Sequence, residues 1–393
     1  MDIVTFDGTG KDPVIRLNGH IDSANAPEAG KAIDDIIARE GCTAVVVDAK
    51  DLEYISSAGL RVILKLLKNK QLIRIVNCST DVYEIFEMTG FTEMAEIERV
   101  YRELSVEGCD IIGQGANGTV YRISPDTIVK VYHDEDALDD IRNDRESAKK
   151  AFVLGMPTAI PFDVVRVGDR YGAVYELLNA KAVKDLILEN PDDIDDEVRI
   201  MVDLLKKIHA IKVEKGVFPS ALEKAIGYVE FLKDYIPADT YEKLDKMIRE
   251  VPDDDHLLHG DFHIKNVMLQ NDEALMIDLD KLRIGNTLFE FGPIFNAYVG
   301  FSKADPANAH EFFGITSEQA RHIWEQTVRC YFEGCSEEKI QDIMKKTMIY
   351  GYVRIIRRTI RRGETAQERG WKLVDACTEE LIRLVNETDN LII

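Results

Sequence analysis

Three side chains in this sequence, Asp261, Asn266 and Asp278, have the types and spacing that chemistry on a charged oxygen substrate requires. Asp261 and Asn266 lie in His259-Gly260-Asp261-Phe262-His263-Ile264-Lys265-Asn266, and Asp278 follows twelve residues after Asn266. Apolar runs flank the stretch: Leu257-Leu258 before it, Val267-Met268-Leu269 after it, then Ala274-Leu275-Met276-Ile277. Two short apolar runs separated by Gln270-Asn271-Asp272-Glu273 predict a hairpin whose open end brings Asn266 and Asp278 together. A carboxylate in a loop can take a proton from a hydroxyl. An Asn and an Asp offer the few hard oxygens that magnesium accepts when substrate phosphates complete its shell. The reading without chemistry is a polar turn beside a hairpin.

A second stretch far upstream decides between the two. Gly113-Gln114-Gly115-Ala116-Asn117-Gly118-Thr119-Val120 fits G-x-G-x-x-G-x-V, in which missing Cβ atoms let backbone N–H groups approach phosphate oxygens. That pattern alone could also open a dinucleotide-binding unit, but there it leads into a helix. Here it runs into an apolar segment, 120–123, that reads as a strand. The next strand, 127–132, carries Lys130 among apolar neighbours, placed to reach phosphates. Glu146, in a helical run over about 136–153, is the expected ionic partner of Lys130. The H-x-D-x-x-x-x-N spacing of the later stretch matches a kinase catalytic loop, in which the Asp takes the hydroxyl proton and the Asn binds metal.

With these motifs in order, residues 108–393 resemble the aminoglycoside and choline phosphotransferase branch of the protein-kinase-like superfamily. His259-Gly260-Asp261-Phe262-His263 followed by Asn266 is similar to that branch's H-G-D-x-H-x-x-N. The metal Asp lies in Ile277-Asp278-Leu279-Asp280, where protein kinases have D-F-G. The resemblance implies ATP and Mg2+ as cofactors, with Asp261 as base and His259 holding the same loop. It further implies Asn266 and Asp278 as metal ligands and Lys130 with Glu146 as the phosphate pair. Gly113, Gly115, Gly118 and Val120 would cover the nucleotide. By order along the chain, Glu176 and Leu178 fall at the hinge that meets adenine. Two positions depart from the branch, Lys265 and the run Gly285-Asn286-Thr287 with Glu290, and they bear on substrate choice.

Composition restricts partners and compartment. The chain of 393 residues has net charge −22, which argues against general binding to nucleic acid or an anionic membrane. Six scattered cysteines without C-x-x-C read as reduced thiols. No leader pattern opens the sequence and no apolar run approaches the roughly 18 residues of a membrane span, so a cytoplasmic location is expected.

Residues 1–100 read as an α/β unit. Residues 14–17 alternate as a strand, and Ser23 or Asn25 can cap a helix over 26–40. The β-branched run Val45-Val46-Val47 suits a strand buried on both faces, and a further strand (72–76) and helix (81–88) follow. The pair Ser56-Ser57 sits where a strand hands over to a helix, which suits an N-cap and also a phosphorylated serine, since a helix start favours an anion. Asp51-Leu52-Glu53-Tyr54-Ile55-Ser56-Ser57-Ala58-Gly59-Leu60 resembles the signature of the STAS anti-sigma-factor antagonist family. Gly19-His20-Ile21-Asp22 and Met88-Thr89-Gly90-Phe91 extend the resemblance across the unit. By that match Ser57 is the phosphorylatable serine, and an anti-sigma factor or another regulatory protein is the partner.

The expected architecture is therefore two-domain α+β: a STAS-like domain (1–100), a connecting segment (101–107), then a bilobal kinase-like fold. Its small β-rich lobe covers 108–180 and its mostly helical lobe 181–393. A helical segment, 212–255, either shapes the acceptor site or only packs. Arg354, Arg357, Arg358, Arg361 and Arg362 share a helical face, which reads as ion pairing with an acidic surface or as a docking face for an acidic substrate. The expected activity is transfer of the γ-phosphate of ATP to a hydroxyl of a small molecule. A protein serine, Ser57 or a partner's, and a non-catalytic ATP-binding signalling module are the alternatives.

Overall fold

The structure, a computed structural model, describes residues 3–8, 12–115, 117–271 and 273–393. Ala116 of the glycine-rich stretch and Asp272 of the hairpin turn lie outside the described residues. The chain divides into two compact units: Met1–Ser105 with Val164–Asp169, and Val106–Asp163 with Arg170–Ile393. Among the described residues no helix is long and apolar enough to cross a membrane.

The first unit alternates β1 (Val4–Asp7), β2 (Val14–Ile21), α1 (Ala26–Glu40), β3 (Val45–Ile55), α2 (Ser57–Lys68), β4 (Leu72–Cys78), α3 (Thr80–Met88) and β5 (Ile97–Arg99). The strands stand in the order β1-β2-β3-β4-β5, with β1 antiparallel to β2 and β2 to β5 parallel. A parallel sheet with helices against it needs central strands apolar on both faces. Val45, Val46, Val47 and Ala49 of β3 are accordingly buried. The strand β3 is longer than its valine run and ends immediately before Ser56. A short strand, β6 (Arg102–Glu103), pairs in parallel with Val165 and Arg166 of β10 (Pro161–Val167).

The start of α1 differs from expectation. Asn25 holds the cap position but its side chain makes no capping bond, and Ser23 makes none either. Asp22 instead accepts from the amides of Ala24 (2.8 Å) and Asn25 (3.2 Å), while Asn25 Nδ2 donates back to the His20 carbonyl. An Asx-type turn one step upstream takes the place of the helix cap.

The second unit opens with β7 (Asp110–Gln114), β8 (Gly118–Ser124), β9 (Thr127–Tyr132) and α4 (Leu138–Val153). The strand β11 (Arg170–Glu176) follows β10, and β11, β9, β8 and β7 form an antiparallel run in that order. Lys130 is thus on a central strand, opposite Val120 on one side and Ala173 on the other.

The chain continues through β12 (Lys181–Ala182), α5 (Val183–Glu189), α6 (Ile194–Ala210), α7 (Ala221–Phe231) and α8 (Ala238–Arg249). Four short strands follow, β13 (His256–Leu258), β14 (Val267–Gln270), β15 (Glu273–Met276) and β16 (Arg283–Gly285). Helices α9 (Leu288–Tyr298), α10 (Asn308–Phe313), α11 (Ser317–Tyr331), α12 (Glu337–Arg361) and α13 (Glu368–Asn386) complete it. Almost every residue of α9 is buried, and α9 packs against α12 as the centre of the helical core. That core anchors the loop between β13 and β14.

Candidate active site

The loop between β13 and β14 is held by hydrogen bonds that leave its functional atoms oriented. Glu290, in the first turn of α9 and wholly buried, accepts from the amides of His259 (2.5 Å) and Gly260 (2.9 Å). A carboxylate buried without such donors would be costly, so the bonds bind the loop to the helix. The Nδ1 atom of buried His259 accepts from the Asp261 amide (3.2 Å), and its Nε2 faces the Ile277 carbonyl at 3.2 Å. Since a carbonyl only accepts, Nε2 carries the proton and the ring is neutral. Burial holds the His259 imidazole below its usual range, against the pull of Glu290 and Asp261, which is consistent with that tautomer.

Gly260 is required by its backbone. It sits at φ +79°, and a Cβ there would lie 2.6 Å from the Lys281 carbonyl oxygen. Asp261 is half-buried, and its Oδ2 accepts from Lys281 Nζ. Burial alone would push the Asp261 carboxyl up, but Lys281, His263 and His259 together hold it below the usual carboxylate range. The group is an anion.

The hairpin β14–β15 pairs Val267 with Met276 and Gln270 with Glu273, with Asn271 at φ +49° in the turn. At its open end the Ile277 amide donates to the Asn266 carbonyl (3.0 Å). Asn266 Nδ2 donates to the Asp261 carbonyl (3.1 Å), so the amide nitrogen is occupied and Oδ1 is the atom left to bind a metal. Asp278 has φ +64°, a left-handed conformation that Asp tolerates better than most residues and that is common at functional sites. Its Oδ1 accepts from Lys130 Nζ at 2.9 Å. Lys130 and Lys281 outweigh burial and hold the Asp278 carboxyl below its usual range. Lys130, Asp261, Asn266 and Asp278 therefore meet in one place.

Glu146 does not join them. Its carboxylate is half exposed and lies 3.7 Å from Lys150 Nζ, one turn along α4, while Lys130 is paired with Asp278. The acidic side chain of α4 that faces the site is Asp144. It accepts from Tyr132 Oη (2.9 Å) and feels the charges of Lys130 and Asp278. Asp144 and Glu146 are two residues apart and project from different faces of the helix, and the inward one is the residue that spacing alone did not single out.

In the glycine-rich stretch the Gly115 amide donates to the Gly118 carbonyl (2.9 Å). Gly118 is sterically required, because a Cβ would lie 2.6 Å from the Val131 carbonyl oxygen of β9. Gly113 and Gly115 have no such restriction, and Val120 is half-buried opposite Lys130. Glu176 ends β11, where its amide donates to the Ile160 carbonyl (3.0 Å) and its carboxylate accepts from the Ile160 amide (3.4 Å). Leu178 follows in the link to β12. Ser57, in the first unit, is the first residue of α2 and is exposed, while Ser56 provides the cap by accepting from the Gly59 amide (3.4 Å).

Three further residues enter the site that the motifs did not mark, Lys281 on Asp261, Asp280 and Asp144, while Glu290, noted in the sequence only as a departure bearing on substrate choice, holds the loop from behind. Burial pushes the Asp280 carboxyl up to about 6 despite Lys281. The signal for Lys281 and Asp280 was their adjacency to Asp278, and for Glu290 it was an acid in the first turn of an otherwise apolar helix.

A bound nucleotide and magnesium fit what these residues present. Asn266 Oδ1 and the Asp278 carboxylate are hard oxygens, Lys130 is a cation beside them, and the β8–β9 approach at Gly118 excludes any side chain.

Comparison with known proteins gives this geometry a family. The model of the phosphotransferase enzyme family matches residues 109–322, and that of the STAS domain matches residues 2–104. The chain belongs to the phosphotransferase enzyme family and carries an N-terminal STAS domain. No curated protein sequence matches it significantly. Among solved structures it is similar to the streptomycin–ATP ternary complex of APH(2")-IIa, at 13% identity and TM-score 0.48, covering 70% of this chain and 93% of that one. It is also similar to ADP-bound APH(2'')-Ib, at 12% identity and TM-score 0.47 over 76% and 98% of the two chains. A choline/ethanolamine kinase family protein from Mesorhizobium loti gives 13% identity and TM-score 0.44 over 71% and 92%.

Proposed function

We propose that this protein transfers the γ-phosphoryl group of ATP to a hydroxyl of a small molecule. The observation that carries the reading is the convergence of Lys130, Asp261, Asn266 and Asp278, tied by the 2.9 Å Lys130–Asp278 pair and the Asn266–Asp261 bond. In the step, the acceptor oxygen bonds to the γ-phosphorus, the bond from that phosphorus to the β–γ bridging oxygen breaks, and ADP leaves. The hydroxyl proton passes to the Asp261 carboxylate. Asn266 and Asp278 would hold magnesium, whose charge stabilises the phosphoryl oxygens when it is bound. Lys130 orients the phosphates from the sheet, and Lys281 sits on Asp261 beside the transferred group. Phosphoryl transfer asks chiefly for positioning and charge stabilisation, which these residues can supply.

Asp261→Asn is expected to lower transfer by at least about a hundredfold, in the range of general-base contributions, while nucleotide affinity changes little. Turnover retained in that variant would remove Asp261 as the base. A second reading, phosphorylation of Ser57, rests on its exposure at the first position of α2, where amides without helical partners favour an added phosphate. The STAS domain would then report the modification to a regulatory protein. The convergence of Lys130, Asp261, Asn266 and Asp278 argues against the non-catalytic alternative.

A further inference from the structure

Beside the catalytic loop is a recess whose charge runs against that of the whole chain. It is lined by Gly260 of the loop, Lys281, Arg283 of β16, Lys224 of α7, and Tyr350 and Arg354 of α12, and no carboxylate lines it among the described residues. Arg357 lies one turn along α12, over the Tyr228 ring at 4.1 Å. Lys281 is paired with Asp261, whereas Lys224, Arg283, Arg354 and Arg357 have no carboxylate partner among the described residues. The Nε atoms of Arg283 and Arg357 are buried with no hydrogen-bond partner. Arg358 of α12 and Arg362, which caps its C-terminus, do find a carboxylate, Glu364, at 3.2 and 3.8 Å.

In a chain of net charge −22, four half-buried cations collected with no carboxylate in ion-pair contact among the described residues, Asp280 and Asp261 acting on Arg283 and Arg354 only at longer range, are expensive to keep. An anion in the recess would remove that cost. Lys281 and Gly260 belong both to the recess and to the base's surroundings, so an occupant there has its hydroxyl within reach of Asp261.

We infer that the phosphoryl acceptor is a small hydroxylated anion, a compound carrying a phosphate or carboxylate a few bonds from the hydroxyl that is phosphorylated. The inference rests on the phosphotransferase reading above and names its substrate class. Arg283, Arg354 and Lys224 take the anionic group, Arg357 adds its charge from one turn along α12, and Tyr350 and Tyr228 lie against the Arg354 and Arg357 guanidinium groups. A cationic acceptor such as choline or an aminoglycoside would meet like charge from every ionised side chain that lines the recess. Burial, reinforced by Arg283, Arg354, Lys281 and Arg357, lowers the Lys224 ammonium to about 7, the response of a lysine held among cations without an anion. An anion bound there restores its proton, so acceptor KM rises as pH is raised from 6 to 8. The charged and titratable groups around Lys224 are Arg283, Lys281, Arg354, Arg357 and Tyr228.

The test uses the full chain in two measurements. Inorganic phosphate is titrated calorimetrically into protein saturated with the magnesium complex of a non-hydrolysable ATP analogue, so that the nucleotide site is occupied. Binding is expected, weakened at least tenfold in Lys224→Gln and in Arg354→Gln. The lysine variant keeps the test decisive should the arginine variant misfold. Turnover of ATP is then compared with glucose, glucose 6-phosphate, gluconate, choline and kanamycin. The phosphate or the carboxylate compound is expected to exceed glucose by at least a hundredfold in kcat/KM, and which of the two leads separates the sources of the anion. Lys224→Gln is expected to raise acceptor KM more than tenfold and to move kcat less than threefold. Absence of phosphate binding, or preference for choline or kanamycin, overturns the inference. So does transfer to a phosphoserine peptide with none to the sugars. Phosphate binding that depends on Lys224, with no transfer to any acceptor, keeps the anion site and refutes the transferase reading instead.

Discussion

At the level of single residues, the catalytic loop is defined by what each side chain cannot do elsewhere. Glu290 illustrates this. Its carboxylate satisfies two loop amides in a fully buried setting, so Glu290→Ala leaves two buried N–H groups unpaired. The expected cost is roughly 2–4 kcal/mol, measured by denaturant unfolding, with a marked loss of turnover. His263 gives a pH signature. It is buried, meets the Phe312 and Phe313 rings edge-on, and burial lowers it to about 4 although Asp261 pulls the other way. Its folded-state value lies below the unfolded value near 6.5, so the unfolded chain binds more protons between the two. Stability contributed by neutral His263 is complete above about pH 6.5 and is lost as pH falls toward 4, by roughly 3 kcal/mol at most. His263→Gln should flatten that part of the stability–pH curve, and an unchanged slope would contradict the assignment.

The motif residues were legible in the sequence because each has a spacing: Asp261 to Asn266, the hairpin to Asp278, the glycines to Lys130. What the sequence could not supply was direction. Glu146 and Asp144 both lie in a helix that was expected, and only the rotation of α4 against β9 decides that Asp144 faces Lys130. The same holds for the arginines of α12. One stripe in sequence divides: Arg358 and Arg362 pair with Glu364, Arg354 lines the recess, and Arg357 lies over the Tyr228 ring. Lys224 and Arg283 could not be joined to them without the tertiary fold.

At the level of elements, α4 and the β8–β9 pair carry the distinguishing tests. Glu146→Gln is expected to leave turnover and ATP KM within about twofold, since its one ion pair is a solvent-exposed contact along the helix. Asp144→Asn, which removes the charge opposite Lys130 and Tyr132, should raise ATP KM several-fold. If the two variants exchange these phenotypes, α4 turns Glu146 toward Lys130 and Asp144 away from it. Gly118→Ala forces a Cβ against the Val131 carbonyl. The sheet must open there, and a loss of about 1–3 kcal/mol with weakened nucleotide binding is expected in thermal and binding measurements.

For the molecule as a whole, a phosphotransferase unit and a STAS domain share one chain, and each has its own hydrophobic core. In the sequence each part has its own periodicity, strands and helices alternating over the first hundred residues, then a glycine-rich antiparallel sheet followed by helices, but nothing local marks that Val164–Asp169 groups with the first unit. The start of α1 escaped because Asp22 closes a turn on the amides of Ala24 and Asn25 just before the helix, and Asn25 at the cap position makes no side-chain capping bond. Regulation through the first unit is a proposal centred on Ser57. Mass spectrometry of the purified chain after incubation with ATP and magnesium tests it. Phosphate on Ser57 that is absent in Asp261→Asn would make this chain its own protein substrate.

The central claim, phosphoryl transfer to a small molecule with Asp261 as base, meets its most direct test with γ-labelled ATP. The full chain is incubated with labelled ATP, magnesium and the acceptor panel, and the label is followed into small-molecule and protein fractions. The account predicts label in an anionic small-molecule product with the native chain and at least about a hundredfold less with Asp261→Asn. Equal labelling by both proteins, or label that stays in ATP with every acceptor, would contradict it.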